Sequence, residues 1–182
     1  MSQAEFLKKV FEVLDRLEVA AMLVGSHASS YYGESRSTHD IDILIDLPKV
    51  KVASLVAAFP KPRYYLSESA LLEGRMANLI DTEQGDKVDF FMLDSSASRQ
   101  QELARRKSIN ILGARVWMAT VEDTIVAKLR WSQDAGGSDR QIRDVEQMII
   151  QQKANIDREY LSQRIHEEAL SETWSLVSDL LD

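Results

Sequence analysis

The sequence predicts an α/β (α+β) fold in which a mixed β-sheet carries helices on one side and a helical extension follows at the C-terminus. Two patterns indicate the sheet: a continuous apolar run at 19–24 and an alternation of apolar and mainly acidic residues at 40–47. Apolar residues at helical spacing precede and separate the strand-like runs. After the Gly-Gly-Ser break at 136–138, every apolar pattern has a helical period. We therefore expect the sheet first and a helical region after it.

The elements follow in order from these patterns. A helix extends to about Leu17, and the strand at 19–24 ends at Gly25-Ser26, where the chain turns into a short helix from His27 to Tyr32. The remaining elements are predicted as strands at 40–47, 76–80, 87–93, 109–112 and 115–119, and as helices at about 50–59, 67–72, 95–107, 120–131, 139–151, 157–170 and 172–181. We expect one domain at 1–119 and a helical region at 120–182 packed on it.

Composition excludes several classes of protein. The chain has 182 residues, of which 45% are hydrophobic and 28% charged, as is usual for a folded globular protein of one-domain size. It has no cysteine, so a disulfide scaffold, a thiolate nucleophile and a cysteine-ligated metal site are excluded. Residues 1–17 resemble an amphipathic helix rather than a signal peptide. We therefore expect a cytoplasmic protein with no membrane partner.

The net charge of −7 is unevenly distributed along the chain. Residues 1–138 hold 17 basic and 19 acidic side chains, whereas residues 139–182 hold 5 and 10. An acidic chain is not a generic nucleic-acid coat protein, because such proteins gain most of their affinity by neutralising phosphates. The nearly neutral first part can still bind an anion.

Acidic residues occupy the open face of the strand at 40–47. Asp40 and Asp42 are two residues apart, so they point to the same face about 6–7 Å apart along the chain and can converge on one point. Two such carboxylates repel unless a cation lies between them. Asp89, flanked by apolar residues in another predicted strand, supplies a third carboxylate. We predict that these three residues hold magnesium, which takes carboxylate oxygens together with water and substrate phosphates.

Gly25 and Ser26 lie between a predicted strand and the N-terminus of a helix. The free backbone N–H groups and the helix dipole at such a position favour an anion, and a hydroxyl can add a hydrogen bond. This pair predicts half of a phosphate site.

These residues together resemble a known superfamily. An apolar strand, Gly25-Ser26, thirteen residues, Asp40-x-Asp42 between aliphatic residues and a later lone Asp89 resemble the nucleotidyltransferases related to DNA polymerase β. The similarity is greatest to the AbiEii-like branch, which includes toxins of type IV toxin–antitoxin systems. The segments that carry this similarity are Gly25-Ser26-His27-Ala28, Tyr32-Gly33, Arg36-x-Thr38-x-Asp40-x-Asp42, Glu122-Asp123 and Lys128-Leu129.

The resemblance implies a nucleotidyltransferase fold with the catalytic domain at 1–119. The implied reaction transfers a nucleoside monophosphate from a nucleoside triphosphate to an acceptor hydroxyl. The three aspartates would hold two magnesium ions, with manganese as an alternative, and Asp89 would favour deprotonation of the hydroxyl. The implied acceptor is an RNA or tRNA end, and the implied partner is a cognate antitoxin.

The resemblance also assigns residues to the nucleotide. Gly25 and Ser26 would hold the β- and γ-phosphates, and Lys128 would reach the same phosphates as a point charge. Arg36 and Thr38, which precede the acidic strand, would orient the metal ligands or the triphosphate.

Each motif also has a purely structural interpretation. A Gly-Ser pair alone is commonly an ordinary turn, an Asp-x-Asp pair alone is commonly a solvated strand face, and Lys128 can be a surface lysine. A basic cluster is either a solvated face or a contact for an RNA acceptor. It comprises Arg99, Arg105, Arg106, Lys107 and Arg115. Two other functions remain open: transfer to a protein or a small molecule such as an aminoglycoside, and a non-catalytic nucleotide-binding regulatory protein.

Overall fold

The computed structural model describes residues 2–111 and 113–181, and Leu112, the end of the predicted strand at 109–112, lies outside these residues. The chain forms two compact units. The first consists of Met1–Val24 and Thr38–Ala119, and the second of Gly25–Ser37 and Thr120–Asp182. Among the described helices, none is long and apolar enough to cross a membrane.

A mixed sheet forms the centre of the first unit. Its strands, in the described residues, are β1 (Ala20–Leu23), β2 (Asp40–Asp46), β3 (Tyr64–Leu66), β4 (Met76–Asp81), β5 (Lys87–Met92), β6 (Lys107–Ile111) and β7 (Ala114–Met118). Their order is β3-β4-β5-β2-β1-β7-β6. β2 pairs parallel to β5 and β1 parallel to β7, whereas the other neighbours are antiparallel. The predicted mixed α/β fold is therefore confirmed.

Four α-helices of the first unit flank this sheet among the described residues: α1 (Gln3–Arg16), α3 (Val52–Ala57), α4 (Glu68–Glu73) and α5 (Ala97–Arg105). α1 begins with a capping box, in which Ser2 and Glu5 satisfy each other's backbone N–H groups. Its buried face includes Phe6 and Phe11, and the helix packs on β1 and β7. α1 therefore covers one face of the sheet.

The second unit is helical. Its described α-helices are α2 (Gly25–Tyr32), α6 (Val121–Asp134), α7 (Asp139–Gln152), α8 (Arg158–Glu167) and α9 (Ser171–Trp174). α6 starts where the sequence predicts a helix, and its N-terminus is capped by Thr120, whose side chain accepts a hydrogen bond from the backbone N–H of Asp123. Gly33, just after α2, lies against α7: a Cβ atom there would be 3.0 Å from the backbone nitrogen of Met148. The absence of a side chain at Gly33 allows this approach.

A buried polar network holds α6 to α8. The hydroxyl of Tyr160 donates to Asp123 at 2.6 Å, and fully buried Arg164 donates to the same hydroxyl at 3.2 Å. Glu122 accepts a hydrogen bond from the backbone N–H of Asp157. The Glu122-Asp123 pair, one of the segments that carry the family resemblance, thus stabilises the helical unit.

The structure differs from the predicted elements in four places. β3 was not predicted, because three residues after two prolines give too short a pattern. α2 begins at Gly25 itself, and the predicted helix at 172–181 is replaced by α9 and a 3₁₀ turn at Ser178–Leu180. Helices were predicted on one side of the sheet, but Leu103 of α5 packs with Leu44 on the acidic face of β2. The division into domains at 1–119 and 120–182 stays a prediction.

Candidate active site

The acidic face of the first unit is built by the register of two parallel strands. Asp42 of β2 is the direct partner of Asp89 of β5, and Asp40 is the partner of Lys87. Because side chains alternate along a strand, Asp40, Asp42, Lys87 and Asp89 lie on the same face. Asp89 is buried at 8% exposure, whereas Asp40 is exposed. The structure therefore brings together the three carboxylates that the sequence predicted as metal ligands.

Lys87 is the counter-charge within this acidic face. Its Nζ lies 3.0 Å from Oδ2 of Asp89 and 3.4 Å from Oδ2 of Asp40. The hydrogen bond to Asp89 raises the pKa of Lys87 above its usual value. Asn78 of β4, the register partner of Asp89 on the other side, donates a hydrogen bond to Oδ1 of Asp89. Both oxygens of Asp89 are therefore engaged by nitrogen donors.

The donor set fits magnesium in its chemistry, since three carboxylates from adjacent strands are hard oxygen ligands. Their placement differs from a formed metal site: within residues 2–111 and 113–181, no group of three or more His, Asp or Glu side chains is arranged to hold a metal ion. The ammonium of Lys87 instead bridges Asp40 and Asp89. A cation bound by all three aspartates would have to displace Lys87.

The predicted phosphate residues lie in the second unit. α2 begins at Gly25, whose φ of 64° is in the left-handed region that favours glycine. Nη2 of Arg36 donates to Oγ of Ser26 at 2.6 Å. The same guanidinium pairs with Asp144 of α7, through Nη2 to Oδ2 at 3.2 Å and Nε to Oδ1 at 3.3 Å. Arg36 therefore connects the start of α2 to α7.

Lys128 of α6 reaches the same carboxylate. Its Nζ lies 2.7 Å from Oδ2 of Asp144, and the residue is only 4% exposed, so it is not a surface lysine. Burial lowers the pKa of Lys128, and the hydrogen bond that Lys128 donates to Asp144 opposes that effect. Burial alone would raise the pKa of Asp144, but the hydrogen bonds from Lys128 and Arg36 bring it below its usual value. One carboxylate thus holds two cations beside Ser26.

Thr38 and His27 have more local surroundings. Thr38 belongs to the first unit, where its backbone carbonyl accepts a hydrogen bond from Gln3 and its hydroxyl donates to the carbonyl of Asp40 at 3.4 Å. These contacts fix the start of β2. His27 is buried in α2, and its pKa is lowered by burial and by the nearby charge of Arg36. A neutral imidazole is therefore expected at this position.

Sequence reasoning missed two residues of the acidic face, and it assigned no contact to Asp144 of the second unit. Lys87 is two residues before Asp89, so strand alternation alone could have placed them on one face. Asn78 faces Asp89 only through the register of the β4–β5 hairpin, which the sequence does not specify. Asp144 carries no local motif, because its partners are 16 and 108 positions away in the chain.

The basic cluster divides into paired and exposed members. Arg99 pairs with Glu102 at 2.8 Å, and the guanidinium of Arg106 stacks 4.9 Å from the ring of Trp117. Lys107 and Arg115 are exposed on the paired strands β6 and β7, with β6 at the edge of the sheet. The solvent-accessible charge of this cluster is therefore concentrated at that edge.

Comparison with known proteins identifies the fold. Residues 1–178 match a protein family described as "Nucleotidyltransferase of unknown function (DUF6036)". No curated protein matches the chain. The structure of the chain is similar to the crystal structure of an antigenic nucleotidyltransferase-like protein from Paracoccidioides brasiliensis, with a TM-score of 0.61 and 19% sequence identity. This match covers 98% of this chain and 92% of that chain.

Two further solved structures are similar to this chain. The solution structure of the antibiotic-resistance factor ANT(2'')-Ia has a TM-score of 0.58 and 12% identity, and the match covers 97% of this chain and 95% of that chain. The lincosamide antibiotic adenylyltransferase LnuA, solved with lincomycin bound, has a TM-score of 0.54 and 11% identity, and the match covers 81% of this chain and 96% of that chain. At these identities the likeness shows a shared fold.

Proposed function

The chain belongs to the DUF6036 family of nucleotidyltransferases, and from this premise we propose that it transfers a nucleoside monophosphate from a nucleoside triphosphate to an acceptor hydroxyl. One observation carries the proposal: Asp42 and Asp89 are direct partners on adjacent parallel strands, with Asp40 on the same face. Three carboxylates on one face of adjacent strands repel one another, and the single charge of Lys87 offsets only part of theirs, so a cluster of this kind is expected to bind a further cation.

Magnesium is the proposed cofactor, with Asp40, Asp42 and Asp89 as the residues that would hold it. When bound, it would neutralise charge on the triphosphate and favour loss of the proton from the acceptor hydroxyl. Lys87 compensates the acidic charge before the nucleotide arrives, and its one-third-exposed side chain can swing away on its flexible stem. Asn78 keeps Asp89 oriented throughout.

The proposed phosphate ligands are the backbone N–H of Gly25, the hydroxyl of Ser26, and the cations Arg36 and Lys128. Support comes from the hydrogen bond between Arg36 and Ser26 and from Asp144, which holds both cations in fixed positions. Preorganised donors of this kind bind an anion with little loss of side-chain entropy. Thr38 acts indirectly, by positioning the start of the acidic strand.

The proposed acceptor is an RNA or tRNA end, which exposed Lys107 and Arg115 would attract. A toxin of the AbiEii-like branch, with a cognate antitoxin as its partner, is the corresponding cellular role. A small hydroxylated molecule is the second candidate, favoured by the similar structure of ANT(2'')-Ia in complex with adenylyl-2''-tobramycin, at a TM-score of 0.57. Expression that arrests growth, with relief by a neighbouring gene product, would support the toxin role, and harmless expression of active enzyme would count against it.

Nucleotide transfer is tested by incubating the protein with each α-labelled triphosphate, magnesium and total RNA. We expect label on RNA, and we expect Asp42→Asn to reduce it by about two orders of magnitude or more, because several kcal/mol of charge stabilisation are lost. Asp46→Asn is the matched control, since Asp46 is an exposed acid on the same face of β2 and has no assigned role.

The outcomes separate the candidate functions. Equal labelling by wild-type protein and Asp42→Asn would contradict the proposed site. Label on an aminoglycoside or lincosamide but not on RNA would favour the small-molecule acceptor. Triphosphate binding without transfer to any acceptor would favour the non-catalytic alternative.

A further inference from the structure

A cavity of about 290 Å³ lies within the second unit, beside the residues proposed to hold the phosphates. Arg36, Arg140, Arg143 and Asp144 are among the residues that line it, together with Ser29 and Glu34. At about 30 Å³ per water molecule, it has room for roughly ten waters. A compact polyanion would fit into this space.

Two arginines of α7, Arg140 and Arg143, line this cavity. Within the described part of the chain, neither Arg140 nor Arg143 forms an ion pair. They are three residues apart on one helix, so their side chains project from the same face. Both are exposed, and they are not needed to hold the helix in place. Two unpaired arginines on a cavity wall are therefore available to an external anion.

Asp144 cannot neutralise them, because its acceptor positions are already used. Its Oδ2 accepts from Lys128 at 2.7 Å, from Arg36 at 3.2 Å and from Ser29 at 3.3 Å, and its Oδ1 accepts from Arg36 at 3.3 Å. The charge of Arg140 acts unfavourably on buried Lys128. The positive potential around the cavity is therefore not relieved within the cluster.

The charge balance indicates the class of ligand. Three arginines, Arg36, Arg140 and Arg143, line the cavity together with two carboxylates, Glu34 and Asp144, and Asp144 is also paired with buried Lys128. The lining therefore carries an excess of one positive charge, in a chain whose net charge is −7. Arginine binds phosphate through two parallel hydrogen bonds, so a paired set of arginines suits terminal phosphate groups.

We propose that this cavity is the subsite for the terminal phosphates of the nucleoside triphosphate and that Arg140 and Arg143 contact them. This rests on the proposed function, because Arg36 both lines the cavity and donates to Ser26 of the nucleotide site. The α-phosphate and the nucleoside would lie outside the cavity. The two arginines would therefore distinguish a triphosphate from a monophosphate.

Calorimetric titration with inorganic tripolyphosphate, in buffer containing EDTA, tests the subsite without metal or catalysis. We expect the wild-type protein to bind, and the double variant Arg140→Gln/Arg143→Gln to bind roughly tenfold or more weakly, because two charge-assisted contacts are lost. Arg158→Gln is the matched control, since Arg158 is an exposed arginine of the same unit that lines a different cavity. It should bind like wild type.

Nucleotides complete the test. The double variant should lose affinity for the triphosphate and keep the affinity of wild type for the corresponding monophosphate. Equal tripolyphosphate binding by the double variant and wild type, or no binding by wild type, would overturn the proposal. Loss of labelled single-stranded RNA binding with unchanged tripolyphosphate binding would also overturn it, since the arginines would then serve the acceptor.

Failure of the proposed function gives a different pattern. If the arginines are needed for binding of the triphosphate but no acceptor is labelled, the proposed subsite is supported and the proposed transfer activity is refuted. If the double variant transfers the nucleotide with unchanged affinity for the triphosphate, the proposed subsite is refuted and the proposed transfer activity is supported.

Discussion

Asp144→Asn should destabilise the second unit strongly, because it removes the anion shared by Lys128 and Arg36. Lys128 is the larger loss: its side chain is 5% exposed and lies 2.7 Å from Asp144, so its charge would stay buried without a partner. Breaking a buried ion pair by removing one member costs about 3–5 kcal/mol. The side chain of Arg36 is 25% exposed, so water can solvate its charge in the variant, and the loss of its ion pair adds less to the destabilisation.

The protonation of Lys128 sets the expected size of this loss. Burial already lowers the pKa of Lys128, so the lysine can lose its proton in the variant, which favours the lower end of the range. We therefore expect a loss of about 3 kcal/mol in the free energy of unfolding. For a chain of this length, each kcal/mol lowers the melting temperature by about 2–4 °C, so a decrease of roughly 6–12 °C should follow.

Urea titration followed by circular dichroism gives the free energy of unfolding for wild type, Asp144→Asn, Lys128→Met and the double variant. The double variant should be more stable than Asp144→Asn, since it no longer buries an unpaired ammonium. A loss below about 1 kcal/mol in Asp144→Asn, or simple additivity in the double variant, would refute the assigned ion pair.

Acid should remove the difference between wild type and Asp144→Asn. The folded-state pKa of Asp144 is below its usual value, so its contribution to stability is present at neutral pH and is lost as the pH falls through the folded-state pKa. The two stability curves should therefore converge in the acid range. A difference that stays constant down to that range would show that the carboxylate charge is not responsible.

Three further predictions concern single residues. Lys87→Met should raise the affinity for Mn²⁺ by roughly tenfold, because it removes the competing ammonium 3.0 Å from Asp89. Electron paramagnetic resonance measures this affinity, and an unchanged value would contradict the role of Lys87 as a competing cation. Gly33→Ala should lower the free energy of unfolding by about 1–3 kcal/mol, and with it the melting temperature, because the added Cβ would lie 3.0 Å from the backbone nitrogen of Met148. A melting temperature equal to that of wild type would disprove this close approach. Burial alone would raise the pKa of fully buried Asp81, but its hydrogen bonds bring this pKa below the usual value. The stability that the Asp81 carboxylate contributes should therefore be lost as the pH falls through its folded-state pKa. An Asp81→Asn variant with the acid-denaturation curve of wild type would exclude this contribution.

Local patterns predicted much of the fold. Strand alternation located β2 and placed its acids on one face, and a threonine three residues before an acid marked the start of α6. Features set by distant packing were harder to predict. β3 is only three residues long, and the helix expected at 172–181 is broken into two short pieces. In both cases, too few consecutive residues show the apolar periodicity that identifies a strand or a helix.

The candidate site was predictable to the extent that its residues form motifs. Asp40, Asp42 and Asp89 could be grouped from alternation and residue type, and the register of β2 with β5 places them together. The partnership of Lys128 with Asp144 could not be predicted, because an isolated lysine on a helix has the same local pattern whether exposed or buried. Arg140 and Arg143 were equally undistinguished from other surface arginines.

The second unit is assembled from two chain segments that are far apart in sequence. α2 packs with α6 and α7, yet more than eighty residues of the first unit are synthesised between them. During translation, the buried residues Ala28 and Tyr32 of α2 must therefore wait for their partners until the whole sheet has left the ribosome. A fragment cut after residue 119 would keep α2 without the helices that cover it. Dissection of the chain into separately expressed pieces should accordingly supply 25–37 together with 120–182, joined by a linker or by circular permutation.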